Sequence, residues 1–154
     1  SRIVSFDLNL RSELWGFSES FKETVLEAVS YSSIVFGNLH EEFLLIYDGN
    51  EDTLDKHISE KQMFICRDGH NGALGITNKD KVISNAIPIS PIDSVGAGDA
   101  FNTGFIYASC CGKDIEESLD IGNQVAAFKL LGSGARHLPT KELLDDFNKK
   151  YQIN

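Results

Sequence analysis

At 154 residues, with 42% hydrophobic and 24% charged side chains, the chain is long enough to bury about two-thirds of its unfolded surface in one domain. Its formal net charge of −9, scattered along the sequence, argues against an extended nucleic-acid or anionic-membrane surface. Three cysteines, Cys66, Cys110 and Cys111, make neither a disulfide framework nor a C-x-x-C metal spacing, and no apolar run approaches the roughly 18 residues of a membrane span, so a reducing cytoplasm is expected.

Taken in chain order, Ile3–Leu8 reads as a short buried strand. Ser20-x-x-Glu23 predicts a capping box ahead of a helix with Phe21, Val25, Ala28 and Val29 on one face. Ile34–Phe36 is a second strand, residues 40–47 and 51–59 read as helical, and "QMFICR" is a third strand with no polar alternation, expected to be covered on both faces. "DGHNGALGITN" is a turn entering a strand at Ala73–Thr77, and residues 82–89 are extended, with Pro88 and Pro91 barring helix. Helices follow over about 97–111 and 114–131, "GSGARHLP" breaks the chain, and Thr140 opens a terminal amphipathic helix to about Lys150. Alternating strands and helices predict an α/β domain with a mostly parallel sheet covered by helices on both faces. Phe101, Gly104, Phe105 and Ala108 fall at helical spacing and are expected in the core, with Cys110 and Cys111 buried at a helix end; Trp15 reads as a buried or half-buried aromatic, with stacking near a ligand the alternative.

The stretch "DSVGAGDAF", residues 93–101, carries the chemistry. An extended segment ends near Ser94 and a helix starts near Ala97, so backbone N–H groups without intrahelical partners gather at the positive end of a helix dipole. Gly96 and Gly98 let an anion approach that backbone, and Asp99 follows in the first turn, where a carboxylate can take a proton from a hydroxyl. Two negative groups side by side call for a cation, Mg²⁺ by preference, and the constellation describes phosphoryl transfer to an alcohol. The competing reading is a glycine corner with Asp99 merely complementing the dipole. A dinucleotide fingerprint is excluded because Phe101 stands where its third glycine belongs, and no G-x-x-x-x-G-K-[ST] loop exists.

These residues resemble the second signature of the PfkB, ribokinase-like carbohydrate kinases, D-T-x-G-A-G-D-x-F, matched at Asp93, Gly96 to Asp99 and Phe101, with Ser94 for the usual threonine. The resemblance implies a ribokinase-like three-layer α/β/α sandwich. It also implies an anion hole of Gly96, Ala97 and Gly98, with Asp99 as catalytic base. "FDLNLRSELW" is similar to a D-x-N-x-R segment of fructokinases and 2-keto-3-deoxygluconate kinases, where Arg11 would face a substrate carboxylate; an exposed arginine paired with Glu13 is the alternative. "GNLHEE" resembles the N-x-x-E motif, which implies Asn38 and Glu41 around Mg²⁺. "GHNGAL" resembles the G-x-x-G-A turn, with Arg67, Gly69 and Gly72 near the ATP phosphates. "IGNQVAAFKLLGSGA" resembles the segment flanking adenine, with Asn123 as a contact, and Asp93 and Ser94 with carbonyls near "GSGA" resemble a K⁺ site.

Members of this family run to roughly twice this length, within the usual range of domain sizes. The chain therefore reads as the carboxy-terminal, nucleotide-binding and catalytic half of a sugar kinase, residues 1–154, without the half that supplies substrate motif and lid. The expected partners are ATP, a sugar or sugar acid, and either the other half or a second copy at an unpaired sheet edge; nucleic acid and membrane are not expected. The alternative is an ATP–Mg²⁺-binding module without turnover.

Overall fold

A computed structural model describes residues 2–47 and 49–153. The elements are β1 (Ser5–Asp7), α1 (Ser12–Trp15), α2 (Glu19–Ser30), β2 (Ile34–Asn38), a π-helical turn (Leu39–Phe43) running into α3 (Leu44–Ile46), a 3₁₀ segment (Glu51–His57), β3 (Met63–Arg67), a 3₁₀ turn (Gly69–Asn71), β4 (Ala73–Ile76), β5 (Lys81–Ser84), α4 (Ala97–Cys110), α5 (Ile115–Leu130) and α6 (Lys141–Tyr151). The strands lie in sheet order β1-β2-β3-β4-β5, and β1, β2 and β3 run parallel, with Phe6 opposite Val35 and Val35 opposite Phe64. Two compact units form, Ser1–Asp68 with Leu74–Val82, and Gly69–Ala73 with Ile83–Asn154.

In the first unit the core gathers Leu8, Leu10, Val35, Leu39, Phe43, Leu54 and Phe64, all buried, with the Phe43 and Phe64 rings 5.0 Å apart. Each such side chain contributes about 1.5–3 kcal/mol when fully buried. Phe64, Ile65 and Cys66 are all inaccessible to solvent, so β3 is covered on both faces as its uninterrupted apolar run predicts. Burial pushes the Cys66 thiol up and the Tyr47 phenol up to about 12.

In the second unit α4 packs on α5, and Phe101, Phe105 and Ala108 are buried as the helical spacing predicts. Asp114 caps α5 with a reciprocal capping box to Glu117, and Thr140 caps α6.

Several local expectations are corrected. Ser18, not Ser20, caps α2, accepting from the Phe21 N–H; the helix starts two residues early because Glu19 favours the first turn. β1 is a half-exposed edge strand rather than a buried one, with Ile3 77% and Val4 46% exposed, because β2 is its one strand neighbour among the described residues. Trp15 is 77% exposed, since the single turn of α1 buries no residue. Cys110 and Cys111 sit at the end of α4 but face outward. No helix among the described residues is long and apolar enough to cross a membrane.

Candidate active site

In the first unit the polar residues collect at the carboxyl ends of the parallel strands, the usual ligand side of such a sheet. Asp7 closes β1, Asn38 closes β2 and Arg67 closes β3; the register sets Asn38 beside Arg67. The Arg67 guanidinium forks onto Asp7, Nη1 to Oδ2 at 2.9 Å and Nη2 to Oδ1 at 3.1 Å, and lies 3.7 Å from Glu42. Both Glu42 oxygens accept backbone N–H groups, from Leu10 at 2.7 Å and Asn38 at 2.6 Å. Asn38 accepts from the His40 and Glu41 N–H groups, capping the turn that follows. That turn is π-helical, and its wide spacing turns Glu42 into the protein and leaves Glu41 exposed. His40 reaches Asp68 at 3.1 Å from an exposed position.

Ahead of this cluster the chain leaves β1 through Asn9 and Arg11, both left-handed at φ 40° and 46°. An arginine in that region is uncommon and costs backbone energy of about 1 kcal/mol or more. Arg11 is exposed, and its Nε donates to Asn9 Oδ1 at 3.0 Å.

In the second unit, residues 94–97 form a turn closed by the Ala97 N–H on the Ser94 carbonyl at 3.1 Å. Gly96 occupies its third position at φ 80°, ψ 8°, the geometry of a type II turn that only glycine takes without strain. A Cβ on Gly96 would also stand 2.9 Å from the Ala135 Cβ. α4 begins at once, and its first-turn N–H groups at Gly98 and Asp99 lie beyond the reach of intrahelical acceptors. Asp99 is exposed there, and its carbonyl accepts the Thr103 hydroxyl at 2.7 Å.

The turn is anchored from α5 and the loop beyond. Asp93 accepts N–H bonds from Val95 at 2.9 Å and Gly134 at 2.7 Å, which hold its carboxyl below the usual carboxylate range. The Leu130 carbonyl accepts the Ile92 N–H at 2.7 Å, and the Lys129 ammonium donates to the Asp93 carbonyl at 2.6 Å.

The pfkB family carbohydrate kinase model matches residues 2–142. The chain belongs to the pfkB family of carbohydrate kinases. This pfkB chain is 28% identical over 123 residues to the ribokinase of Bacillus subtilis, covering 78% of itself and 41% of that protein. It is 28% identical over 137 residues to the 2-dehydro-3-deoxygluconokinase of Haemophilus influenzae, covering 86% and 44%. A double mutant of the fructokinase of Vibrio cholerae O395, solved in its fructose, ADP and potassium ion bound form, superposes with a TM-score of 0.83 at 28% identity over 94% of this chain and 50% of that one. The pfkB chain thus spans about half the length of the relatives it matches, and the expected ribokinase-like α/β fold agrees with this likeness.

Within this pfkB chain the sequence-derived site residues divide sharply. Gly96 forms the N-cap of α4 and Asp99 lies in its first turn, while the Ala97 N–H is spent on the turn, leaving Gly98 and Asp99 as donors. Arg67 is paired with Asp7, because the strand register brings the two strand ends together. Glu41 stays in solvent while the neighbouring Glu42 is buried; the spacing carried no sign of the π turn that rotates them. Asn123 is buried, its Nδ2 donating to the Ser84 hydroxyl at 2.8 Å and the Asn85 carbonyl at 3.2 Å, at the end of β5. Gly69 is open at φ 56°, and Gly72 is held at φ 106° with room for no Cβ, the Ser84 carbonyl lying 2.1 Å from one. Among the described residues no group of three His, Cys, Asp or Glu is placed to hold a metal ion. Sequence reading missed Lys129, although Ser118, Gly122, Val125 and Lys129 share one buried stripe of α5 and a lysine there was a visible exception.

Proposed function

We propose that this chain is the nucleotide-handling and catalytic half of an ATP-dependent sugar kinase. The observation that carries the reading is Asp99, an exposed carboxylate in the first turn of α4 beside donors free of intrahelical acceptors, in a chain of a carbohydrate kinase family. Asp99 takes the proton of a sugar hydroxyl as that oxygen bonds to the terminal phosphorus of ATP. The bond from that phosphorus to its bridging oxygen breaks, ADP leaves, and the Gly98 and Asp99 N–H groups with the α4 dipole stabilise the charge on the transferring group. Mg²⁺ supplies charge neutralisation on the phosphates. Asn38 and Glu41, which the N-x-x-E likeness implies around Mg²⁺, are the residues we assign to that ion.

Arg11, exposed and held in a strained backbone by Asn9, is the residue we assign to a substrate carboxylate, which favours 2-keto-3-deoxygluconate, with fructose second. The remaining grip on the sugar we assign to a further segment, or to a second copy, pairing along the β1 edge beside exposed Ile3 and Val4. A strictly monomeric chain at high concentration in light scattering would count against the second copy.

Phosphate transfer from ATP to 2-keto-3-deoxygluconate, fructose and ribose, measured with Mg²⁺ and with Asp99→Asn alongside, tests the reading. Transfer to one sugar, lost in the variant, is the expected result; transfer that survives the substitution contradicts it.

A further inference from the structure

Leu8 and Leu10, 5% and 2% exposed, go into the core, while Asn9 and Arg11 stay in solvent. A backbone N–H buried with Leu10 needs a partner inside the protein. That partner is Glu42 Oε1 at 2.7 Å, a side chain 32 positions further on. The other oxygen of the same carboxylate accepts the Asn38 N–H at 2.6 Å, at the end of β2. A cap for its own turn would need only the Asn38 bond; the Leu10 bond serves a second segment. One buried carboxylate thus fastens the bend that carries Arg11 to the turn that carries Asn38 and Glu41, and an ionised acceptor makes both bonds short and strong. A second tether runs along the bend itself. Asp7 Oδ1 accepts the Asn9 N–H at 3.2 Å, and Asn9 Oδ1 accepts Arg11 Nε at 3.0 Å. With Nε taken, the two Nη groups of Arg11 are the fork offered to a carboxylate. The left-handed backbone of Asn9 and Arg11 persists because these bonds over-determine it.

We infer that Glu42 is a positioning residue: its carboxylate holds the Leu10 N–H, and so sets the Asn9–Arg11 bend and the Arg11 guanidinium in a fixed place relative to the Asn38–Glu41 turn. Glu42 touches neither sugar nor nucleotide and acts through Arg11. The inference rests on the assignment of Arg11 to a substrate carboxylate, but its first test needs neither sugar nor turnover.

Amide hydrogen exchange is followed by NMR in the protein, in Glu42→Met, which removes both acceptors, in Glu42→Gln, which retains one, and in Ile58→Val, a core variant that leaves the carboxylate in place. The wild-type Leu10 amide should exchange about 10²-fold more slowly than an open loop amide. A Leu10 amide that exchanges freely overturns the inference without any variant, which covers a Glu42→Met chain that fails to fold. Glu42→Met should speed exchange across residues 9–12 about tenfold more than across β2 and β3, and Glu42→Gln by less, whereas Ile58→Val should leave that ratio at its wild-type value. Equal ratios in Glu42→Met and Ile58→Val would make Glu42 a brace for the fold alone and overturn the inference. Sugar phosphorylation reads the consequence. In Glu42→Met the KM for 2-keto-3-deoxygluconate should rise about tenfold, with kcat and the KM for fructose held within about twofold. Loss of a negative charge alone would lower the KM for an acid sugar, so a rise reports the lost position of Arg11. A KM that falls, or a rise shared by both sugars, overturns the inference. Arg11→Met separates the two readings. A preference for the acid sugar that survives Arg11→Met sinks the carboxylate assignment, and the exchange ratios then decide for Glu42 on their own.

Discussion

The strand-end cluster of the first unit and the glycine turn of the second both gather charge, yet they treat it in opposite ways. Arg67, Asp7, Glu42 and Asn38 spend their polar atoms on one another and on backbone N–H groups, at distances of 2.6–3.1 Å for the closest bonds. Around the glycine turn, Asp93 and Lys129 are spent on the backbone in the same manner, but Asp99 and the first N–H groups of α4 face outward. Charge that is satisfied inside the protein holds a shape. Charge left facing solvent on a rigidly anchored turn is available to a ligand. Substitutions in the first group should therefore register as stability, and substitution of Asp99 as chemistry.

The largest stability effect is expected at Gly72, where alanine combines a φ of 106° with a Cβ 2.1 Å from the Ser84 carbonyl; Gly72→Ala should cost about 3 kcal/mol or more in denaturant unfolding. A loss under 1 kcal/mol would mean the segment yields easily. Arg67→Met comes next, leaving Asp7 and Glu42 facing each other without their shared cation, at about 2–3 kcal/mol. Unchanged stability with weakened ATP binding would make Arg67 a phosphate contact rather than a structural cation. The paired carboxylates give a sharper contrast. Glu42→Gln should cost about 1–2 kcal/mol because one amide nitrogen meets an N–H donor, whereas Glu41→Gln should stay within about 0.5 kcal/mol. Equal effects would contradict the π-turn placement.

The smallest effect concerns pH. The Asp93 carboxyl is held below its ordinary range by two N–H bonds, so its contribution to the turn is complete above the ordinary aspartate pKa and is lost as pH falls through the depressed folded value. Acid unfolding of Asp93→Asn should accordingly be less steep than that of the wild type below the usual carboxylate range. Coincident acid limbs would show that Asp93 does not report on the turn.

Much of this was legible in the sequence. Uninterrupted apolar runs identified β2 and β3, Thr140 marked the start of α6, and "DSVGAGDAF" located the turn and Asp99 together. What could not be read were distances across the sheet. Nothing near Asp7 in sequence announces a pairing with Arg67, sixty residues on, and no composition signal marks a π turn that exchanges Glu41 for Glu42. Asn123 was singled out only by the likeness of its segment to one flanking adenine, and nothing near it in sequence announces its hydrogen bond to Ser84. Burial of Trp15 failed for a related reason, since one turn of helix offers no face to bury.

The comparison stands or falls on Asp99. Stability and turnover should be measured together for Asp99→Asn and Arg67→Met, with ATP, Mg²⁺ and the sugar the wild type accepts. The account predicts that Asp99→Asn leaves the unfolding midpoint unchanged and lowers turnover by about 10²–10⁴-fold, while Arg67→Met does the reverse in stability. Turnover retained in Asp99→Asn would contradict the account.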